Sequence, residues 1–123
     1  MASTSEIMVV LGASPNPERY SYKAVRSLLK RGYNVAAIGI REGTIEGVKI
    51  QLNRPEVENV HTILLYISPK TQAEYYDYII SLKPQRIIFN PGTDNYVLEN
   101  LAKEHNIEVV SDCALVMLST NTF

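Results

Sequence analysis

Tryptophan is absent from this 123-residue chain, and cysteine occurs once, at Cys113. A single cysteine excludes an internal disulfide and suits a reducing compartment, so a cytoplasmic location is expected. Neither sign of charge dominates: twelve basic and thirteen acidic residues leave a net charge of −1. There is no basic stripe of the kind that binds nucleic acid or an anionic membrane surface. No apolar run is long enough to span a bilayer. The opening "MASTSEI" lacks both a basic n-region and an apolar h-region, so a signal peptide is not expected. Repeats, low-complexity blocks and metal-ligand spacings are also missing. Neither nucleic acid nor a membrane is an expected partner.

What is present is an ordinary globular composition, 46% hydrophobic and 20% charged, at the length of one domain spanning residues 1–123. Short apolar runs alternate with segments of helical period. "IMVVL" (Ile7–Leu11) reads as a buried strand. Tyr22, Val25, Leu28 and Leu29 mark one face of a helix over Tyr20–Arg31, and Gly32 sits where a left-handed cap closes it. "NVAAIGI" (Asn34–Ile40) is a second strand, followed by an irregular crossing in which "VKI" pairs briefly at an edge. "HTILLYI" (His61–Ile67) is a third strand. Ser68 and Pro69 then supply an N-cap and a first helical residue for a helix reaching Leu82. "RIIFN" (Arg86–Asn90) is a fourth strand, followed by a helix from about Asn95 to His105 that Asn106 closes, with Asp94 as its cap. "IEVV" (Ile107–Val110) is a fifth strand, and Cys113–Leu118 should pack back onto the sheet.

Strands rich in Val, Ile and Leu, separated by helices, define an α/β domain. The expected fold is a three-layer, doubly wound, Rossmann-like domain. Its five-stranded parallel sheet is assigned the order 3-2-1-4-5. Ligands of such sheets sit beyond the carboxyl ends of the strands.

The first strand exits into Gly12-Ala13-Ser14, a turn that suits either a phosphate or simply a tight change of direction. Ser14 stands where the dinucleotide fingerprint has its second glycine. Arg19 lies at a helix entrance, against the helix dipole, which a bound anion would explain as well as solvation does. After the second strand, Gly39-Ile40-Arg41 offers a cation where NAD-binding domains place an acid, with Glu42 arriving slightly late. That suits a ribose carrying an extra phosphate, as in NADP or coenzyme A. Ser68-Pro69 and Asn90-Pro91-Gly92-Thr93 provide backbone and small polar groups suited to a channel for an extended ligand. Catalytic groups are scarce. His61 opens a strand at the far edge, His105 complements a helix C-terminus, and Cys113 reads as a small core residue. Tyr75, Tyr76 and Tyr78 read as amphipathic packing, with a homodimer surface as the other option.

The run "GASPNPERYSYKAVRSLLKRGYNV" resembles the opening of the small CoA-binding domain proteins. The matching positions are Gly12, Ala13, Ser14, Pro17, Arg19, Ser21, Tyr22, Val25, Leu29, Gly32, Tyr33 and Val35. "FNPGTDNYVLENLAKEHNIEVVSDC" is similar to a later part of the same family. The resemblance implies a fold related to the CoA-binding domain of succinyl-CoA synthetase, with the CoA phosphates at the first turn. It does not extend to the synthetase's phosphorylated histidine, which belongs to another domain. This chain also departs from the family in three places. It has Gly39-Ile40-Arg41 where many members have Asn-Pro, Asn90-Pro91 where many have glutamine, and no arginine between Asp112 and Cys113.

The expected function is binding of a small nucleotide ligand, coenzyme A or an acyl-CoA, without catalysis. An NAD(P)-binding redox domain or sensor is the alternative. The expected contacts are Gly12, Ala13, Ser14, Pro17, Arg19, Tyr20 and Ser21 at the first turn. Gly39, Arg41, Ser68, Asn90, Pro91 and Gly92 are expected at the later strand ends.

Overall fold

Alternation along β1 (Ile7–Leu11) sorts the core into two layers: Val9 and Leu11 enter one apolar cluster, Met8 and Val10 the other. The computed structural model describes residues 6–123, so the first five residues of the "MASTSEI" opening lie outside the described residues. Four further strands extend the sheet: β2 (Asn34–Ile38), β5 (Val60–Leu65), β6 (Arg86–Phe89) and β7 (Glu108–Ser111). All neighbouring strands in it are parallel. One face is covered by α1 (Tyr20–Lys30) and α5 (Ala114–Ser119), which pack on each other. The other face is covered by α3 (Tyr76–Ser81) and α4 (Tyr96–Glu104), through Ile79, Leu98 and Ala102. The protein is therefore a three-layer, doubly wound α/β domain.

The strand order differs from expectation. It is β2-β1-β5-β6-β7, or 2-1-3-4-5 among the strands of the sheet, not 3-2-1-4-5. The place beside β2 that the other order gives to the third long strand is already taken. The crossing after β2 forms a small antiparallel hairpin, β3 (Thr44–Ile45) with β4 (Val48–Lys49), and returns Gln51 to the edge of β2. There Gln51 N–H donates to the Ala37 carbonyl at 2.8 Å and Gly39 N–H donates to the Gln51 carbonyl at 3.0 Å. With that edge capped, β5 pairs on the far side of β1. Its Ile63, Leu64 and Leu65 are fully buried, as a strand paired on both sides requires.

The helices follow the sequence closely, with two corrections. The segment from Pro69 is not one helix. It runs as α2 (Pro69–Gln72), a 3-10 turn over Ala73–Tyr75, and α3. The Arg54 guanidinium donates to the Glu74 carbonyl at 3.0 Å, the acceptor a continuous helix would offer to Tyr78. The second correction is the α4 cap, which is Asn95 rather than Asp94. The Asn95 side chain accepts from the Val97 and Leu98 N–H groups. Gly32 and Asn106 adopt positive φ angles of 86° and 59° just past their helices. Cys113–Leu118 is largely α5, and Cys113 is half-buried rather than in the core.

Candidate functional site

β1 and β5 leave the sheet side by side, and their exit loops diverge around a cavity of about 660 Å³. This is the point where strand order reverses, the usual ligand crevice of a doubly wound sheet. One wall is the β1–α1 turn, from Gly12 through Ser14 to Ser21. The facing wall is built from Tyr66, Ile67, Ser68 and Thr71, with Tyr75 beyond them. Gly39, Ile40 and Arg41 close one rim, and Pro91, Gly92 and Thr93 the other.

Gly12 is required by its neighbour strand. Its φ is 101°, and an added Cβ would lie 2.9 Å from Ile67 Cγ2 and 3.0 Å from the Tyr66 carbonyl. The residue thus lets the two exit loops meet. The Gly12 and Ala13 N–H groups are not turned to a ligand, because both donate to the Ile38 carbonyl, at 2.8 and 2.9 Å. The anion-facing groups lie further along. Ser14 Oγ accepts from Asn16 N–H and Asn16 Oδ1 from Glu18 N–H, shaping the loop into α1. Arg19 is the extended N-cap residue (φ −76°, ψ 142°) and caps nothing with its side chain. The N–H groups of Tyr20, Ser21 and Tyr22 therefore have no acceptor among the described residues. Free amides at a helix start, with an arginine beside them, form a suitable seat for phosphate.

The residues expected from sequence divide clearly. All of them line the cavity except Pro17, which is exposed outside it, and Asn90. Asn90 is buried and structural. Its Nδ2 donates to the Leu65 carbonyl at 2.9 Å and its Oδ1 accepts from Ala114 N–H at 2.8 Å, tying β5, β6 and α5 together. Thr93, part of the expected channel segment, also lines the cavity, whereas sequence reasoning missed Tyr66, Ile67, Thr71 and Tyr75. Tyr66 and Ile67 directly follow a strand, so the rule of inspecting strand ends was available for them. Tyr75 carried no such signal, because the 3-10 turn that presents it depends on Arg54. The Arg54 guanidinium lies 4.6 Å over the Tyr75 ring.

A buried network fixes the wall opposite α1. Gln72 Nε2 donates to the carbonyls of Ile67 and Thr93, at 2.9 and 2.8 Å. Asn95 Nδ2 donates to Gln72 Oε1 and to Tyr76 Oη. Tyr66 adds an unusual feature. Its hydroxyl is buried without a hydrogen-bond partner, and burial, followed by the nearby Cys113, raises its pKa well above the usual tyrosine value. His61 lies at the opposite end of the sheet, 3.9 Å from Glu6. His105 Nδ1 sits 2.9 Å from the Leu101 carbonyl at the end of α4. Neither histidine lines the cavity. Among the described residues, no three His, Cys, Asp or Glu side chains gather as a metal site. No helix among them is long and apolar enough to cross a membrane.

Fold and cleft together define a doubly wound α/β domain with an anion-suited first turn at its switch point. Residues 6–119 match the model of the CoA binding domain family. The chain belongs to that family. Among solved structures it is similar to an uncharacterized protein at 45% identity and a TM-score of 0.93, covering 95% of this chain and 97% of that one. It is also similar to a Thermus thermophilus protein at 22% identity and a TM-score of 0.84, covering 96% and 90%. A hypothetical protein from Pyrococcus horikoshii OT3 matches at 25% identity and a TM-score of 0.79, covering 94% and 82%. No curated protein matches.

Proposed function

We propose that this protein binds coenzyme A or an acyl-CoA in the β1/β5 cleft and acts as a binding domain rather than an enzyme. The diphosphate sits against the free N–H groups of Tyr20, Ser21 and Tyr22, with Arg19 as counter-ion, and the rest of the ligand follows the cleft. The observation that carries this reading is the entrance of α1. The unpartnered amides of Tyr20 and Ser21 and an arginine without a carboxylate meet at one cavity wall, and family membership supports coenzyme A as the anion. A binding role is favoured because the cavity lining includes no histidine, carboxylate or cysteine to move a proton or attack a substrate. A redox role would need NADP rather than NAD, since the rim after β2 carries Arg41 where an NAD site has an acid.

Isothermal titration with CoA, an acyl-CoA, NAD, NADP and AMP tests the reading. CoA or its thioester should bind most tightly. Tight NAD or NADP binding with no CoA binding would replace this function with the redox alternative.

A further inference from the structure

Among the described residues, the exposed large apolar side chains are Tyr20, Ile40, Tyr96, Val97 and Val116. Every one of them follows the carboxyl end of a strand. Tyr20 opens α1 after β1, Ile40 follows β2, Tyr96 and Val97 open α4 after β6, and Val116 lies in α5 after β7. The loops at the opposite end of the sheet expose none of this kind. Single apolar residues scattered over a surface are ordinary, and their gathering at one end is not. Tyr75, Tyr76 and Tyr78 are by contrast half-buried and packed against the core. Tyr20 and Ile40 border the cavity, but Tyr96, Val97 and Val116 lie outside its lining, so a ligand there does not account for them.

The same end is divided in charge. On the β1/β2 side, Arg19, Lys23 and Arg41 outnumber the neighbouring Glu18 and Glu42, and Arg26 and Glu46 neutralise each other at 3.0 Å. On the β6/β7 side the charged residues are Asp94, Glu99 and Asp112, with no cation before Lys103 near the far end of α4. Between the two sides, β5 leads to Lys70 and Glu74, one of each sign. Apart from Arg26 and Glu46, none of these groups forms an ion pair among the described residues.

β5 is the central strand of the order β2-β1-β5-β6-β7. A twofold axis along the sheet normal, through the carboxyl end of β5, sets the β1/β2 side of one copy on the β6/β7 side of another. Cations then meet acids, and exposed apolar groups meet exposed apolar groups, twice over. An isologous contact requires a surface that complements itself in this way. Exposed tyrosines suit it, because they bring both apolar area and a polar tip.

We propose that the carboxyl-end face of the sheet is the surface on which two copies of this chain pair, with the Arg41 end of β2 over Asp112 of the partner subunit. Arg19 and Arg41 also border the cavity, so a bound anion competes with the partner's acids and the test uses ligand-free protein. Its result is therefore independent of the coenzyme A reading, which calorimetry answers separately.

Sedimentation velocity over a range of protein concentrations compares the wild type with Arg41→Glu, Asp112→Lys and the double variant. The wild type should form a concentration-dependent dimer at low salt that weakens at about 1 M salt, where charges are screened beyond ~3 Å. Each single reversal should raise the dimer dissociation constant roughly tenfold or more, the scale of one close charge pair across an interface. The double variant should recover most of the loss, because the reversed charges again meet their opposites. Tyr96→Ser should also weaken the dimer, with the charges left in place. A wild type that stays monomeric at every concentration would overturn the proposal. A dimer indifferent to both single reversals would overturn it too, since another surface would then hold the copies together. Failure of the double variant to recover, with its thermal unfolding unchanged, would likewise overturn this pairing.

Discussion

At Arg19 the backbone and the side chain serve different ends. The extended backbone starts α1 correctly, yet a cation at that end opposes the helix dipole and costs a few tenths of a kcal/mol. Serine or aspartate would bond the orphan amides and stabilise the helix. Arginine leaves them open. A residue that is poor for the helix and good for an anion points to binding, and removal separates the two effects. Arg19→Ala should weaken CoA binding by roughly 1.5–3 kcal/mol, the size of a charged hydrogen bond, by titration calorimetry. Its urea midpoint should stay the same or rise slightly, because no contact in the fold is lost. Unchanged affinity would remove Arg19 from the site. Arg19 was legible in the sequence because its conflict with the dipole needs only local information. Gly12 was legible as a special position, but its reason was not: the Tyr66 carbonyl and Ile67 side chain that crowd it arrive from more than fifty residues away.

At the scale of elements, what the sequence hid is how the strand ends are tied together. Asn90 looked like a ligand contact because it follows a strand, and its two buried hydrogen bonds show it to be a brace between β5, β6 and α5. Side-chain amides with two donors and an acceptor suit either task, so residue type alone cannot separate them. The single helix expected from Pro69 fails for a similar reason. Local propensity favours continuity, and Arg54, reaching over from another loop, overrides it. Asn90→Ala strands the Leu65 carbonyl and the Ala114 N–H in the interior. The expected loss is roughly 2–4 kcal/mol in urea denaturation, from two unsatisfied buried groups. Under conditions where this variant remains folded, its CoA affinity should fall by less than that of Arg19→Ala. The opposite ranking would return Asn90 to the ligand site.

For the molecule as a whole, the alternation of strands and helices made the three layers readable, because burial on both faces writes itself into every strand. The order of the strands was not readable, since it rests on pairings between segments far apart in the chain, Gln51 at the edge of β2 among them. The layers also set how the protein answers to pH. Tyr66 leaves β5 on the α1/α5 side and packs with that apolar cluster, so its hydroxyl is taken out of water with no partner. Its pKa is raised above the usual 10.0, first by burial and then by Cys113. Tyr78 is raised as well, by burial and Tyr75, with Arg54 opposing. The raised folded-state value means that the unfolded chain gives up its proton first as pH increases. Stability is therefore at its full level below pH about 10, where both states keep the proton, and declines above it. The urea midpoint should hold level from pH 7 to 9 and fall beyond about pH 10. Tyr66→Phe should flatten that fall and, by removing an unpaired buried hydroxyl, leave neutral-pH stability equal or up to about 1 kcal/mol higher. Tyr78→Phe makes the contrast, because it deletes a 2.6 Å bond to the Pro55 carbonyl and should lower the midpoint at every pH. If Tyr66→Phe loses stability above pH 10 as steeply as the wild type, the alkaline limit of this fold belongs to other groups.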